Sequence, residues 1–165
     1  MDEQNDLKCA CCEKEVSQHA LAHYRAIKRK DAIYCVRCIC EKSAGDFPTI
    51  GEYRILHKLG KGGNADVYLA VQVNMYRLVA FKWLKHMLSP SPEKLHRFAR
   101  ECEIGAKLVH PNVVQFYDAG HKDNTYLIVM EFVNGDTLEQ ILTRKGRLSV
   151  KEVTQIALQL IGALD

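Results

Sequence analysis

The sequence lacks several features that mark specialised classes of protein. No apolar run approaches the roughly 18 residues that a membrane-spanning helix needs, and the polar start Met-Asp-Glu-Gln-Asn-Asp has no signal-peptide core. The net charge is only +3, and acidic and basic residues balance over residues 1–50, so charge does not indicate a nucleic-acid partner. The composition, 47% hydrophobic and 26% charged, is that of a globular chain. We therefore expect a cytoplasmic protein with no membrane segment.

Cysteine is scarce in most of the chain, since six of the seven lie before residue 41. In a cytoplasmic protein a cluster of thiols binds metal more often than it forms disulfides. Cys9 with Cys12 and Cys35 with Cys38 form two Cys-x-x-Cys pairs, within reach of a pair of small hairpins. This arrangement resembles a zinc ribbon. It predicts a structural zinc ion that supplies folding free energy to a segment of ~40 residues with few large apolar side chains.

Other ligand sets remain open for this segment. Cys11 and Cys40 are surplus thiols, and His19 and His23 stand four residues apart, where one helical face presents both. A two-zinc site would use all eight groups, and unligated thiols are the remaining alternative. We assign residues 1–42 to a cysteine module and residues 43–52, which include Gly45 and Pro48, to a linker.

The second part of the chain opens with a glycine-rich turn between two strand patterns. Residues 53–59 alternate in polarity, residues 67–73 have strand propensity, and Gly60-Lys-Gly-Gly-Asn-Ala-Asp-Val67 lies between them. Glycines allow a backbone to approach phosphate closely. Lys82 follows on a third, otherwise apolar strand, where an ammonium group needs an anionic partner. Together these features predict a phosphate-holding hairpin with a lysine.

These residues resemble the N-terminal lobe of a eukaryotic-type protein kinase in its bacterial serine/threonine style. The family's Gly-x-Gly-x-x-Gly-x-Val is matched by Gly60, Gly62 and Val67, with Ala65 replacing the third glycine. Its Val-Ala-Ile-Lys is matched by residues 79–82. The resemblance implies an α+β fold over residues 53–165: an antiparallel five-stranded sheet with the helix called αC, a hinge, and the start of the large lobe.

The resemblance also implies a set of site residues. Lys82 and a helix glutamate would form the catalytic ion pair, for which Glu101 is assigned because Glu103 is turned by about 200° to the far side of the helix. The hinge is residues 131–136, preceded by Met130 as gatekeeper. The implied nucleotide-binding residues are Leu59, Gly60, Lys61, Gly62, Gly63, Asn64, Ala65, Asp66, Val67, Ala80, Lys82, Met130, Glu131, Val133 and Asp136.

Further elements follow from local patterns. A strand is predicted over Val113 to Tyr117, after the helix-stopping Pro111. Helices are predicted over 137–143 and 149–164, the second with a capping box formed by Ser149 and Glu152.

Two motifs of the family are missing from these 165 residues: His-Arg-Asp and Asp-Phe-Gly. They carry the catalytic base and the Mg²⁺ ligands. The resemblance therefore implies the ATP-binding part of a serine/threonine protein kinase that is inactive by itself. Its partners would be ATP and a protein substrate or signalling partner. The alternative is a non-catalytic adaptor in which the ribbon binds a partner and the lobe senses nucleotide or is a relic; a nucleic-acid-binding ribbon is the least favoured interpretation.

Overall fold

A computed structural model of the chain describes residues 7–42, 45–63, 65–84, 91–123 and 125–164. Asn64 in the glycine turn, and Ser43 and Ala44 in the linker, lie outside these ranges. The α-helices are α1 (Gln18–Ala22), α2 (Val36–Lys42), α3 (Pro92–Lys107), α4 (Leu138–Lys145) and α5 (Val150–Leu164). The strands are β1 (Ala26–Arg29), β2 (Ala32–Cys35), β3 (Thr49–Ile50), β4 (Tyr53–Lys61), β5 (Ala65–Gln72), β6 (Arg77–Leu84), β7 (Phe116–Lys122) and β8 (Thr125–Glu131).

Residues 7–42 fold around one β-hairpin. Strands β1 and β2 pair antiparallel with Ala26 opposite Cys35, and their two-residue turn contains Lys30 in the left-handed region at φ 54°. Helix α2 follows β2 without a break, stabilised by an ion pair at 2.9 Å between Arg37 and Glu41 on successive turns. A second antiparallel turn precedes α1, in which the Cys9 amide donates to the Lys14 carbonyl at 2.9 Å and the Val16 amide donates to the Leu7 carbonyl at 2.7 Å. The unit therefore combines this turn, the β1–β2 hairpin and the helices α1 and α2.

The second unit contains a six-stranded antiparallel sheet in the order β3-β4-β5-β6-β8-β7. Strands β4 to β8 are the five predicted strands, and β3 adds two residues at one edge. Strand β7 begins at Phe116 rather than at the predicted Val113. The Val113 amide donates a hydrogen bond to the His110 carbonyl at 3.0 Å, which closes a turn and keeps this residue out of the sheet.

The sheet is curled, so that β4 and β7 are in contact although they are not neighbours in the strand order. The hydroxyl of Tyr53 on β4 donates to the Asp118 carboxylate on β7 at 2.9 Å, and Lys122 lies 2.8 Å from Asp118 and 2.9 Å from Glu52. Burial alone would raise the pKa of Asp118, but bonds from Lys122 and Tyr53 lower it, and Lys122 lowers the pKa of Glu52. One core cluster of the sheet consists of Tyr53, Ala70, Val79, Phe81, Leu127 and Val129.

The cysteine module shares a second core with the opposite face of the sheet. Its buried members are Ile27, Ile39, Cys40, Phe47, Leu56, Leu69 and Val71. Ile39 of α2 and Leu69 and Val71 of β5 are fully buried. Phe47, which falls in the predicted linker, is also buried there. The two units are therefore packed against each other as well as joined by the chain.

The helices begin where their capping residues predict. Ser91 caps α3 by accepting a hydrogen bond from the Lys94 amide, with proline in the first turn. The predicted capping box at α5 is confirmed, since the Glu152 amide donates to Ser149 and the Ser149 amide donates to Glu152. Many apolar side chains of α5 are exposed, Val150 and Leu164 most of all. None of the helices in the described part of the chain combines the length and apolar character needed to cross a membrane.

Helix α3 packs on β7 through a glycine. Gly105 is buried, and a Cβ atom at this position would lie 2.3 Å from the ring of Phe116. A Cβ atom at Gly162 of α5, by contrast, would meet nothing within 4 Å.

We therefore expect Gly105→Ala to lower the free energy of unfolding by about 1–3 kcal/mol, because overpacking outweighs the gain in helix propensity. The matched control, Gly162→Ala, should be neutral or raise it by up to about 1 kcal/mol. Urea denaturation of both variants measures the difference. A Gly105→Ala protein as stable as the Gly162→Ala protein would contradict this account of the helix packing.

Candidate nucleotide site and cysteine cluster

The glycine turn joins β4 to β5. Gly60 pairs with Val67, and the Gly62 amide donates to the Ala65 carbonyl at 2.8 Å across the turn. A Cβ atom at Gly62 would lie 3.0 Å from that same oxygen, whereas one at Gly60 or Gly63 would be in open space. Position 62 is therefore where the turn itself requires a glycine. The missing side chains of Gly60 and Gly63 leave open space beside the backbone.

One face of the sheet collects four of the predicted nucleotide-binding residues. In the antiparallel register Val67 on β5 lies opposite Lys82 on β6, and Ala80 on β6 lies opposite Met130 on β8. Directly opposed residues share a face, as do residues two apart on one strand. Val67, Ala80, Lys82 and Met130 therefore form one continuous patch.

Asp66 does not belong to this patch. Adjacent residues on a strand point to opposite faces, so Asp66 lies on the other side of β5 from Val67. Its carboxylate is mostly buried and lies 2.8 Å from the Lys58 ammonium. Its charge is thus balanced within the hairpin, and the strand alternation in the sequence is the signal that could have separated it from the nucleotide-binding set.

Helix α3 brings a carboxylate to the patch. Glu101 forms an ion pair and hydrogen bond with Lys82, as predicted. Glu103 pairs with Lys107 at 2.7 Å on the exposed surface of the same helix. Both partners of the Lys82–Glu101 pair remain partly exposed, so an anionic ligand has access to the ammonium group.

The hinge follows directly from β8. The Glu131 amide donates to the Gln115 carbonyl at 2.8 Å, which attaches the start of the hinge to the segment before β7. Val133 is exposed. Asp136 forms an ion pair with Arg144 of α4 at 2.6 Å, so a ligand that approached Asp136 would have to share it with this guanidinium. Leu59 is also exposed, beside a register shift between Lys58 and Gly60.

The four predicted cysteine ligands form one cluster. The Sγ atoms of Cys9, Cys12, Cys35 and Cys38 all lie within 4.8 Å of one another, and those of Cys12 and Cys35 are 3.9 Å apart. Four thiolates bound tetrahedrally to zinc at about 2.3 Å would be spaced by about 3.8 Å. The donor set and spacing therefore fit a tetrahedral ion with sulfur ligands. The second pair reaches the cluster from the junction of β2 and α2, one helical turn apart.

The backbone already favours a thiolate at one position of the cluster. Burial alone would raise the pKa of Cys9, but hydrogen bonds from the amides of Cys35, Cys11 and Cys12 lower this pKa to about 6. Burial raises the pKa of Cys38, so a nearby cation would be needed to ionise it.

The surplus groups do not form a second cluster among the residues that the structure describes. The rings of His19 and His23 stack on each other at 3.9 Å, Cys40 packs in the core shared with the sheet, and Cys11 is outside the group of four. The two-ion alternative thus has no support in this arrangement.

The family model described as protein kinase domain matches residues 53–165. The chain belongs to the protein kinase family. Strands β4 to β8, the α3 helix and the ion pair between them are thus the small lobe of a kinase, and the cysteine module precedes the matched region.

Similar proteins agree on a bacterial serine/threonine type of kinase. The chain is 42% identical over 114 residues to the serine/threonine-protein kinase PrkC of Bacillus subtilis, covering 69% of this chain and 18% of that protein. It is 35% identical over 115 residues to the serine/threonine-protein kinase pkn3 of Myxococcus xanthus, covering 69% of this chain and 21% of that protein. The solved PknI kinase domain of Mycobacterium tuberculosis matches with a TM-score of 0.62 and 31% identity, over 72% of this chain and 49% of that domain. The chain thus spans about a fifth of these curated kinases and about half of that kinase domain.

Three aromatic rings, none of them predicted as a site residue, meet beside the hinge of this kinase lobe. Tyr24 of the cysteine module lies 5.3 Å from His57 and 5.2 Å from Phe132, measured between ring centroids. No local motif marks these residues, because they come from three distant segments of the chain and only the packing of the module on the lobe brings them together.

Proposed function

We propose that residues 53–165 form the ATP-holding part of a serine/threonine protein kinase whose complete catalytic domain transfers the γ-phosphate of ATP to protein hydroxyl groups. The observation that carries this proposal is the Lys82–Glu101 ion pair. It lies on the same sheet face as Val67, Ala80 and Met130, and an ammonium so oriented would bind the phosphates of a nucleotide whose base rests on that apolar patch.

Each group in the site has a separate task in this proposal. The backbone at Gly60, Lys61, Gly62 and Gly63 would approach the phosphates, and Leu59, Val67 and Ala80 would contact the adenine ring. The hinge backbone at Glu131 and Val133 would bind the edge of the base. Asp136 would contact the ribose by sharing its ion pair with Arg144. Asp66 is better described as a structural residue of the hairpin because Lys58 neutralises it.

The proposed chemistry is divided between this sequence and the motifs it lacks. Mg²⁺ bound with ATP neutralises phosphate charge during transfer. The sequence contains neither of the motifs that would supply its ligands and the catalytic base. The residues present here would bind the nucleotide and hold its phosphates in place through Lys82, itself held by Glu101.

The binding role of Lys82 can be tested directly. We expect Lys82→Ala to weaken ATP binding about tenfold or more, because it removes a charge-assisted contact to phosphate. Lys107→Ala, which removes an ammonium group from the exposed side of α3, should leave the ATP Kd unchanged. Isothermal titration of each variant with Mg-ATP provides the measurement. Equal ATP affinity in the wild-type and Lys82→Ala proteins would overturn the proposed site.

Phosphate transfer is a separate prediction. A polypeptide of these 165 residues should bind ATP but incorporate no label from γ-³²P-ATP into itself or a general protein substrate, because the catalytic base is missing. Incorporation above that of the Lys82→Ala control would contradict this. In the adaptor alternative the lobe senses nucleotide or is a relic, and a longer polypeptide from the same gene would incorporate no label either.

We also propose that the cysteine cluster binds one structural zinc ion. Four sulfur donors at tetrahedral spacing, two of them buried, support a closed structural site with no open coordination position. Zinc would supply part of the folding free energy of a unit too small to bury a large core by itself. Reduced thiols of this kind are typical of the cytoplasm, which is where we place the protein.

Metal analysis of the purified protein should therefore give about one zinc ion per chain. Cys38→Ser should reduce this content severely and unfold residues 7–42, because a tetrahedral site loses one of its buried ligands. Cys102→Ser is the matched control, since Cys102 lies on α3, away from the cluster. A metal-free wild-type protein with a folded module, as judged by amide NMR spectra, would rule out the zinc site.

A further inference from the structure

The end of helix α1 contacts the hinge through an aromatic ring. Tyr24 lies between β4 and the hinge, 5.3 Å from the His57 ring and 5.2 Å from the Phe132 ring. Its ring meets that of Phe132 edge-on at 85°, a favoured geometry for aromatic pairs. A side chain of the cysteine module thus touches both the strand that leads into the glycine turn and the segment that would bind adenine.

A hydrogen bond makes a second contact at the same place. The side-chain amide of Asn134 donates to the Ala22 carbonyl at the end of α1, at 3.4 Å. Phe132 and Asn134 are the two chain neighbours of Val133, whose backbone is proposed to bind the adenine edge. The module therefore contacts the residues on both sides of Val133.

The backbone at Tyr24 adopts an unfavourable conformation to make this contact. Helix α1 ends in a Schellman motif, in which the Arg25 amide bonds to the Ala20 carbonyl at 2.7 Å and the Tyr24 amide bonds to the Leu21 carbonyl at 3.1 Å. This places Tyr24 in the left-handed region at φ 55°. Glycine is the usual residue at this position because a bulky side chain is strained there. Tyr24 therefore occupies a position whose backbone conformation suits glycine, so that a glycine substitution is compatible with the fold.

The same short helix also contacts the cysteine cluster. Ala20 and Leu21 of α1 pack against the buried core that contains Cys9 and Cys38. One side of α1 thus packs on the cysteine core, and the C-terminal end of α1 contacts the hinge. The shared core between Ile39 and the sheet attaches the module firmly to the lobe.

We propose that Tyr24 is a positioning residue of the nucleotide site, through which the cysteine module holds the hinge in its base-binding conformation. This inference rests on the proposed function, since it assumes that adenine binds at the hinge. Metal binding would hold α1, which packs on the cysteine core, in the position where it contacts the hinge, and so should favour nucleotide binding. Nucleotide binding should then raise the metal affinity by the same factor, because coupling between two sites is reciprocal.

The first experiment compares three variants of the full 165-residue chain by titration with adenosine and with Mg-ATP. Tyr24→Gly removes the ring and also relieves the strained backbone, so the module should stay folded. It should raise the Kd for both ligands about three- to tenfold, the range expected from one aromatic pair. Tyr24→Phe keeps the ring and should bind both ligands as the wild type does.

Tyr34→Ala is the matched control. Tyr34 lies on β2 of the same module, 6.3 Å from Phe47 between ring centroids, and packs against the shared core as Tyr24 and Phe132 also do. Its replacement loosens that core while leaving the Tyr24 ring in place. Its loss should lower the stability of the module to urea while leaving the Kd for adenosine unchanged. A rise in Kd equal to that of Tyr24→Gly would mean that general loosening of the module is responsible, and would overturn the specific role of Tyr24.

The pattern across ligands separates this inference from the proposed function. Lys82→Ala should weaken ATP more than adenosine, because adenosine has no phosphates, whereas Tyr24→Gly should weaken both equally. If the wild-type chain binds neither ligand, the proposed function itself is wrong. If the wild type binds both and Tyr24→Gly binds them with unchanged Kd, the nucleotide site stands and the role of Tyr24 is refuted.

The coupling to metal is tested by measuring the zinc affinity of the chain with and without saturating adenosine, in competition with a chromophoric chelator. Adenosine is the suitable probe because it lacks the phosphates with which ATP would chelate zinc. Zinc affinity should rise with adenosine in the wild type, and by a smaller factor in Tyr24→Gly. An identical zinc affinity with and without adenosine would refute the coupling between the cluster and the hinge.

Discussion

An ammonium group on a central strand of the sheet is the constraint on which the rest of the lobe depends. Lys82 is flanked by Val67 on β5 and Ile128 on β8, and an unpaired charge among apolar neighbours would be costly. Glu101 relieves that cost only if α3 lies across the sheet face. The close packing of Gly105 on β7 allows this approach. A single ion pair thus relates the position of the helix, the register of the strands and the apolar patch beside them.

The cysteine module solves a different physical problem. A unit of ~40 residues buries too little surface to be stable by itself, and this one draws on two sources of stability. One is the metal ion proposed for its sulfur cluster, whose donors are spaced for tetrahedral coordination. The other is the sheet of the kinase lobe, against which Ile39 is completely buried. The module therefore depends on the lobe for part of its core. It packs against the lobe beside the hinge, where Asn134 donates to the Ala22 carbonyl.

Much of the site was predictable because it depends on short-range geometry. The Cys-x-x-Cys spacing predicts two pairs of converging thiols, and the angle between successive helical residues separates Glu101 from Glu103. Strand alternation would also have separated Asp66 from Val67, although the family motif grouped them together. The predicted start of β7 at Val113 was wrong, because a hydrogen-bonded turn at His110 overrides the strand propensity of the valines that follow.

The family, the glycine turn, the lysine and its partner, and the four clustered thiols could all be predicted from the amino-acid sequence, because each depends on residues close together or on a motif of fixed spacing. Which surfaces of the two units meet could be learned only from the packed fold. The bond from Tyr53 to Asp118 joins residues 65 apart and closes the curled sheet, and the bond from Asn134 to Ala22 joins residues 112 apart and ties the module to the hinge. Contacts of that range depend on how whole elements pack, and no local periodicity specifies them.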